Sequence, residues 1–489
     1  MKNWSLLLLS ALFVCCGGSK PDPTPDPQPP VTPGEQLKAA VYTTSMAGAR
    51  MKESELTLQK PEDVNFYKVN LDGNSYQTVD GFGLAITQAS CYNLLVMKAE
   101  DRRAFLEEIF SREKGIGSSL IRVCIGGSDF SLDEFTWCDT PGMEHFAVHP
   151  LDQEYLFPIL DQIMAINPDV KLIGSPWSCP RWMKMAENGG AYDAWTGGRL
   201  NPVYYEDYAT YFVKWVKEME SRGYPVMAVT LQNEPLNRGN SMSLYMPWED
   251  QRDFLKVVGP AFEKAGLKTK ILLFDHNYNY DNMAPQADYP LKIFADADAA
   301  RYAAGSAWHN YGGSVSALDK IHSEYPDKEI YFTEASIGTW NYSFDGCLIT
   351  DFRDIFLGTL SRYGKGVTLW NLMLDDEHKP YRPGGCNTCW GAVTIPSGNH
   401  AYSALVRNSH YYNVAHCSKV LQPGAVRLGT SGYSTAGLTY QWYRNPDGSY
   451  ALLLLNEGSS EALVNFVGAK AAVPCKVPAK AIQSILWKE

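Results

Sequence analysis

Residues 205–235 read YEDYATYFVKWVKEMESRGYPVMAVTLQNEP. Over 205–223 the apolar side chains recur at helical spacing, and Gly223 stands where a C-cap belongs. From Val226 the chain runs apolar and then ends in Asn233-Glu234-Pro235, the pattern of a short buried strand with a polar C-terminal end. A helix leading into a buried strand is the unit of a parallel β/α fold. Seven further strand candidates extend the pattern in both directions: 79–86, 119–125, 170–177, 270–276, 305–311, 329–335 and 366–372. Together they predict an α/β fold of the (β/α)8 TIM barrel type, in which chemistry belongs at the C-terminal strand ends. The polar residues fall there. Asp129 comes shortly after the second candidate, Trp177 after the third, Asn233 and Glu234 after the fourth, His309 and Tyr311 after the sixth, Glu334 after the seventh and Trp370 after the eighth.

The texture changes on both flanks of this barrel, which is expected over 76–405. Residues 406–489 form short alternating segments, and Asn445-Pro446-Asp447-Gly448 is a hairpin signal. Residues 37–75 alternate as well and are expected to join the C-terminal strands in a β-sandwich. At the start, Lys2 precedes an apolar run from Leu6 to Val14, too short for a permanent membrane helix and right for a secretory signal. The run ends in Cys15-Cys16-Gly17-Gly18 and resembles a bacterial lipoprotein signal, with Cys16 the expected acylated residue and 1–16 the signal peptide. The Pro-rich segment 17–36 reads as an extended spacer. The protein is therefore expected to be secreted, monomeric and held by a lipid anchor on a bacterial membrane, facing the cell surface or periplasm.

A formal net charge of −11 without a Lys/Arg run argues against nucleic acid as a partner. The 13 Trp and 29 Tyr exceed what a core needs, and such rings suit the apolar faces of sugars. Apart from Cys15 and Cys16, nine cysteines remain, an odd number that cannot all pair. Cys386 and Cys389 form the tight pair, read as a loop disulfide or two free thiols. A zinc ribbon would need a second such pair or two histidines at ligand spacing, so neither a metal nor another cofactor is expected.

Retaining glycoside hydrolysis needs two carboxylic acids about 5–5.5 Å apart. Carboxylates ending the fourth and seventh strands of an eight-membered ring face each other across its mouth, which makes Glu234 and Glu334 the pair. Asn233 can bond a sugar 2-hydroxyl, a contact that strengthens in an oxocarbenium-like transition state. Arg122 lies inside a strand, where a buried guanidinium needs a carboxylate, and Glu334 is the candidate. Taken singly, Trp177 and Trp370 would serve as core aromatics, His309 as a structural histidine and Asp129 as a helix cap.

These residues sit in strings that resemble glycoside hydrolase family 30 from about residue 40 to the C-terminus: GFGLAITQAS, RVCIGGSDFSL, IGSPWSCPRWMK, VTLQNEP, AWHNYGG, FTEASIG, LWNLMLD and SKVLQPGAVRL. The resemblance implies a retaining β-glycosidase with Glu234 as acid/base and Glu334 as nucleophile. It implies further that Asp129, Trp177, Asn233, Trp370 and His309 bind the sugar, and that Arg122 and Tyr311 orient the nucleophile. Leu84 and Gln88 depart from the family's Gly and acidic residue, and Ser128 from its Cys; they bear on subsite shape more than on the reaction. A surface-anchored enzyme meets polymers too large to import, which favours β-1,6-glucan over glucosylceramide or an exo-acting β-glucosidase or β-xylosidase role. A glycan-binding lipoprotein without catalysis would have lost one carboxylate, and a metal-dependent hydrolase would show His or Cys pairs at ligand spacing; neither pattern is present.

Overall fold

The computed structural model describes Met1 and residues 37–489. The expected signal peptide, Cys16 and the spacer over 17–36 lie outside the described residues. Among the described residues, eight parallel strands form one sheet: Gly81–Leu84, Leu120–Cys124, Lys171–Ser175, Val226–Thr230, Lys270–Asn277, Gly305–His309, Glu329–Glu334 and Gly364–Leu369, strands 1 to 8 of the barrel. Strand 1 pairs with strand 8, and the ladder then runs back through each strand to strand 2. The remaining seam is short. Ala85 bridges Arg122, and the Ile86 N–H donates to the Arg122 carbonyl at 2.8 Å, closing the sheet into a barrel.

Helices with one apolar face wrap the outside. Helix Tyr205–Ser221 opens with Glu206 and Asp207, which suit its positive N-terminal end, and buries Tyr208, Phe212, Trp215 and Met219. Gly223, at φ 85°, turns the chain away behind it. Trp215 reaches strand 3 because Gly174 has no side chain: a Cβ there would sit 2.7 Å from the indole. The barrel's base is filled from within by Leu120, Ile173, Ala228, Leu272, Ala307 and Tyr331.

The β-sandwich is one nine-stranded sheet folded over on itself. Its order is Lys52–Thr57, Lys38–Ser45, Ala481–Trp487, Tyr450–Asn456, Leu438–Arg444, Val426–Gly432, Lys68–Thr78, Ala462–Val467 and Ala472–Val477. A Gln59–Ala472 bridge brings its two ends together around Val69, Trp442, Leu452, Phe466 and Ile485. The turn at Asn445–Gly448 joins two antiparallel neighbours, with Gly448 at φ 83°.

Past residue 405 the structure differs from the sequence reading, which saw only strands there. Helix Ser409–Ser418 is buried along its whole length, and His416 Nδ1 lies 2.6 Å from Ser484 Oγ on the last sandwich strand. The helix buries polar Ser409, His410, Asn413, His416 and Ser418 along with its apolar residues, so the division into an apolar and a polar face that marks a surface helix in a sequence is blurred.

Candidate active site

Two residues beyond the apolar base, strands 2, 3, 4 and 7 present Arg122, Ser175, Thr230 and Thr333 on the same inner face. Strand 5 reaches this layer out of step. Its ladder to strand 6 shifts register between Phe274 and His276, with Phe274 at φ 73° and Asp275 at φ 68°. This bulge turns Asp275 inward, at a backbone conformation that only supporting contacts sustain. Those contacts are dense. The fully buried carboxylate accepts from Arg122 Nη2 at 2.7 Å, Thr230 Oγ1 at 2.7 Å, Thr333 Oγ1 at 2.6 Å and Ser175 Oγ at 3.1 Å, and faces His309 Nε2 at 3.0 Å.

Arg122 carries this base up to the reactive level. Its Nη2 also donates to Asn233 Oδ1 at 2.7 Å, and its Nη1 donates to Glu334 Oε2 at 2.5 Å. The Tyr311 hydroxyl donates to Glu334 Oε1 at 3.0 Å. Glu234, at φ 44°, accepts from Asn237 Nδ2 at 2.8 Å and Asn240 Nδ2 at 3.4 Å on one oxygen and faces His309 Nδ1 at 3.2 Å with the other. Ligand atoms of Glu234, His309 and Glu334 all lie within 4.8 Å of one another.

His309 governs the charge of this trio. Burial alone would lower its pKa, but Glu334, Asp275 and Glu234 raise it to about 9. Glu234, which burial alone would raise, is brought to about 2 by His276, His309 and Asn237. Glu334 is raised, first by burial and then by Glu234 and Asp275, against the pull of His309 and Arg122. His309, one hydrogen bond from Glu234, is thus placed to exchange a proton with it. The trio is also the one group among the described residues with the spacing of a metal site. Its chemistry does not fit one: both His309 nitrogens are already engaged by carboxylates, and a cation would sit beside the Arg122 guanidinium. Dialysis against a strong chelator is therefore expected to leave activity unchanged; a loss restored by zinc or calcium would make the trio a metal site.

Above the trio lies a cleft of about 480 Å³, lined by Asp129, Glu234, Asn237, Tyr311, Glu334, Trp340, Trp370 and the loop Gly384–Cys389, among others. Cys386 and Cys389 form a disulfide in that loop. Asp129 is 6% exposed and its Oδ1 has no partner, leaving an acceptor for a hydroxyl. Burial and the carboxylates of Glu334 and Glu234 push its pKa well up.

Two placements differ from the sequence reading. His309 was expected against the sugar, yet it is fully buried with both nitrogens engaged by carboxylates, so it acts through Glu234. Trp177 is 2% exposed and stacks behind Trp370, with ring centroids 5.0 Å apart, so Trp370 forms the cleft wall and Trp177 its backing. Asn233 spends its Oδ1 on Arg122, which leaves its amide N–H groups as donors. Sequence reasoning missed Asp275, His276, Asn237, Asn240 and Trp340. The asparagines follow Glu234 by three and six positions and carried a readable signal; Asp275 did not, because the bulge reverses its side.

Family models match in order: the glycosyl hydrolase family 30 TIM-barrel domain over residues 79–421 and its beta sandwich domain over 424–485. Among curated proteins, the endo-1,6-beta-D-glucanase BGN16.3 of Trichoderma harzianum is 32% identical over 80% of this chain and 79% of its own. The putative glucosylceramidase 2 of Caenorhabditis elegans is 30% identical over 86% of this chain and 82% of its own. Among solved structures, the endo-beta1,6-glucanase BT3312 superposes with a TM-score of 0.89 at 48% identity, covering 92% of this chain and all of that one, 100%.

Proposed function

Since the chain belongs to glycoside hydrolase family 30, we propose that it cleaves β-1,6-glucan within the chain by double displacement, with Glu334 as nucleophile and Glu234 as acid/base. The carrying observation is the pair itself: two buried carboxylates with oxygens within 4.8 Å of one another. Inverting enzymes hold theirs about 6.5–9.5 Å apart to seat a water, whereas retaining ones close the gap. Arg122 and Tyr311 converge on Glu334, which suits a carboxylate that must attack the anomeric carbon and later leave it. In the first step a Glu334 oxygen bonds that carbon while the glycosidic oxygen departs with a proton that His309 passes through Glu234, which leaves Glu234 a carboxylate and His309 neutral. In the second, Glu234 takes a proton from water, whose oxygen displaces Glu334.

The similarity to the two endo-acting β-1,6-glucanases supports the substrate. Incubated with β-1,6-glucan, the protein is expected to release a ladder of oligosaccharides. Glucose alone would mean exo action, and cleavage of glucosylceramide but not of the glucan would overturn the substrate.

The lipid anchor belongs to the same proposal: Lys2, the apolar run to Val14 and Cys16 support attachment to a bacterial membrane, with the spacer carrying the enzyme outward to its polymer. Cys16→Ser is expected to move the protein from the membrane fraction to the soluble one. Release by Cys15→Ser instead would place the lipid one residue earlier.

A further inference from the structure

We propose a second glucan-binding site on the outer face of the loop that follows barrel strand 3, apart from the catalytic cleft. A cavity of about 570 Å³ opens there, larger than the cleft and sharing none of its lining residues. Its walls include Trp182, Tyr192, Tyr204, Asp139, Arg181 and Asp193. Flat rings beside carboxylates and a guanidinium make the surface that a neutral polyhydroxylated chain needs: stacking for the sugar faces, acceptors and donors for the hydroxyls. Two carboxylates, Asp139 and Asp193, balance Arg181 and Lys184, so the lining has no net charge and suits a neutral chain.

The loop is built to hold this shape. Strand pair Lys184–Met185 and Arg199–Leu200 braces it. The buried Lys184 ammonium donates to the carbonyls of Trp195, Gly197 and Ser243 at 2.8, 2.9 and 2.8 Å. Trp182 Nε1 donates to the Cys138 carbonyl at 2.8 Å, its ring meets Tyr204 edge-on with centroids 5.1 Å apart, and the Tyr192 hydroxyl donates to the Thr196 carbonyl. Arg181 lies 3.4 Å from Asp193 and stacks at 5.2 Å on Trp195, whose other neighbours are the cluster of Trp177 and Trp370 behind the cleft. One loop therefore backs the catalytic wall on its inner side and forms the outer cavity on the other. Because it leaves a C-terminal strand end, it stands on the catalytic side of the barrel, and a polymer held there is kept at high local concentration near the cleft.

The inference rests on the glucan-hydrolase reading, and the test separates the two. In a Glu334→Ala background, which leaves the polymer uncut, electrophoresis through a gel containing soluble β-1,6-glucan measures binding. Adding Tyr192→Ala with Asp193→Ala is expected to weaken retardation about fivefold. In the active enzyme the same pair is expected to lower kcat/KM on the polymer about fivefold and to leave a β-1,6-linked trisaccharide within about twofold. Trp182→Ala, which also loses packing, should follow the pair where circular dichroism shows it folded. Undiminished retardation in the Tyr192/Asp193 variant, or an equal loss on the trisaccharide, overturns the second site. A parent enzyme inactive on both the polymer and the trisaccharide refutes the hydrolase reading alone, since retardation is read without turnover.

Discussion

Glu334→Ala is expected to lower hydrolysis of β-1,6-glucan more than about 10⁴-fold, because no other group stands where the anomeric carbon must be attacked. Tyr311 and Arg122 would then close on a void that a small anion can enter. Added azide should restore turnover of an activated aryl glucoside from that face and give the α-glycosyl azide. Glu234→Ala is the paired measurement. It should hurt substrates with poor leaving groups most, since a nitrophenolate departs with little protonation, and should let the glycosyl-enzyme accumulate. Azide then replaces water in the second step, giving the β-azide. Product anomers the other way round would exchange the two roles, and substantial glucan hydrolysis by Glu334→Ala without azide would end the mechanism.

Asp275→Asn is expected to be the most damaging single change to the fold of the site. Its carboxylate, which burial alone would raise, is held far below the ordinary range by Arg122, His309 and Thr333. The amide would leave the fully buried Arg122 with Glu334 as its one nearby anion. Breaking a buried ion pair costs about 3–5 kcal/mol, to be read from urea unfolding at pH 7. A misplaced Arg122 and His309 should lower kcat on the order of 10²-fold. A folded-state pKa below the unfolded one means that the stabilisation is fully present above about pH 4 and declines as pH falls further. The gap between wild type and variant should therefore narrow in acid. A gap under about 1 kcal/mol, or one that ignores pH, would show that Asp275 is not the counter-ion.

The contrast between Asp275 and Glu334 shows what a sequence can disclose. Strand 7 keeps its alternation from Tyr331 to Thr333 and ends on Glu334, so an apolar run closing in a carboxylate was enough to find the residue. In Lys270–Asn277 the same alternation from Leu272 points Phe274 into the barrel and Asp275 away; two positive φ values exchange them. Bulges leave no mark in a hydrophobic pattern, because they change backbone count and not residue type. His309 was legible as an inward residue but not in its role, which depends on carboxylates from strands 4 and 5 meeting its two nitrogens. Helix Ser409–Ser418 was hidden by the completeness of its burial.

Strand Lys38–Ser45 lies between Lys52–Thr57 and Ala481–Trp487, and Gln483 Nε2 donates to Thr43 Oγ1 at 3.2 Å across 440 positions of sequence. Such a pairing sets an order of assembly. At about 5–20 residues per second of synthesis, the early strand waits tens of seconds for its neighbour, with one row of N–H and C=O groups unpaired. The barrel's nearer contacts form meanwhile, and the seam that binds beginning to end closes last, as the slowest entropic step. A nascent chain stalled before residue 481 would therefore carry a nearly complete catalytic barrel beside an adhesive sheet edge, the species a chaperone must shield.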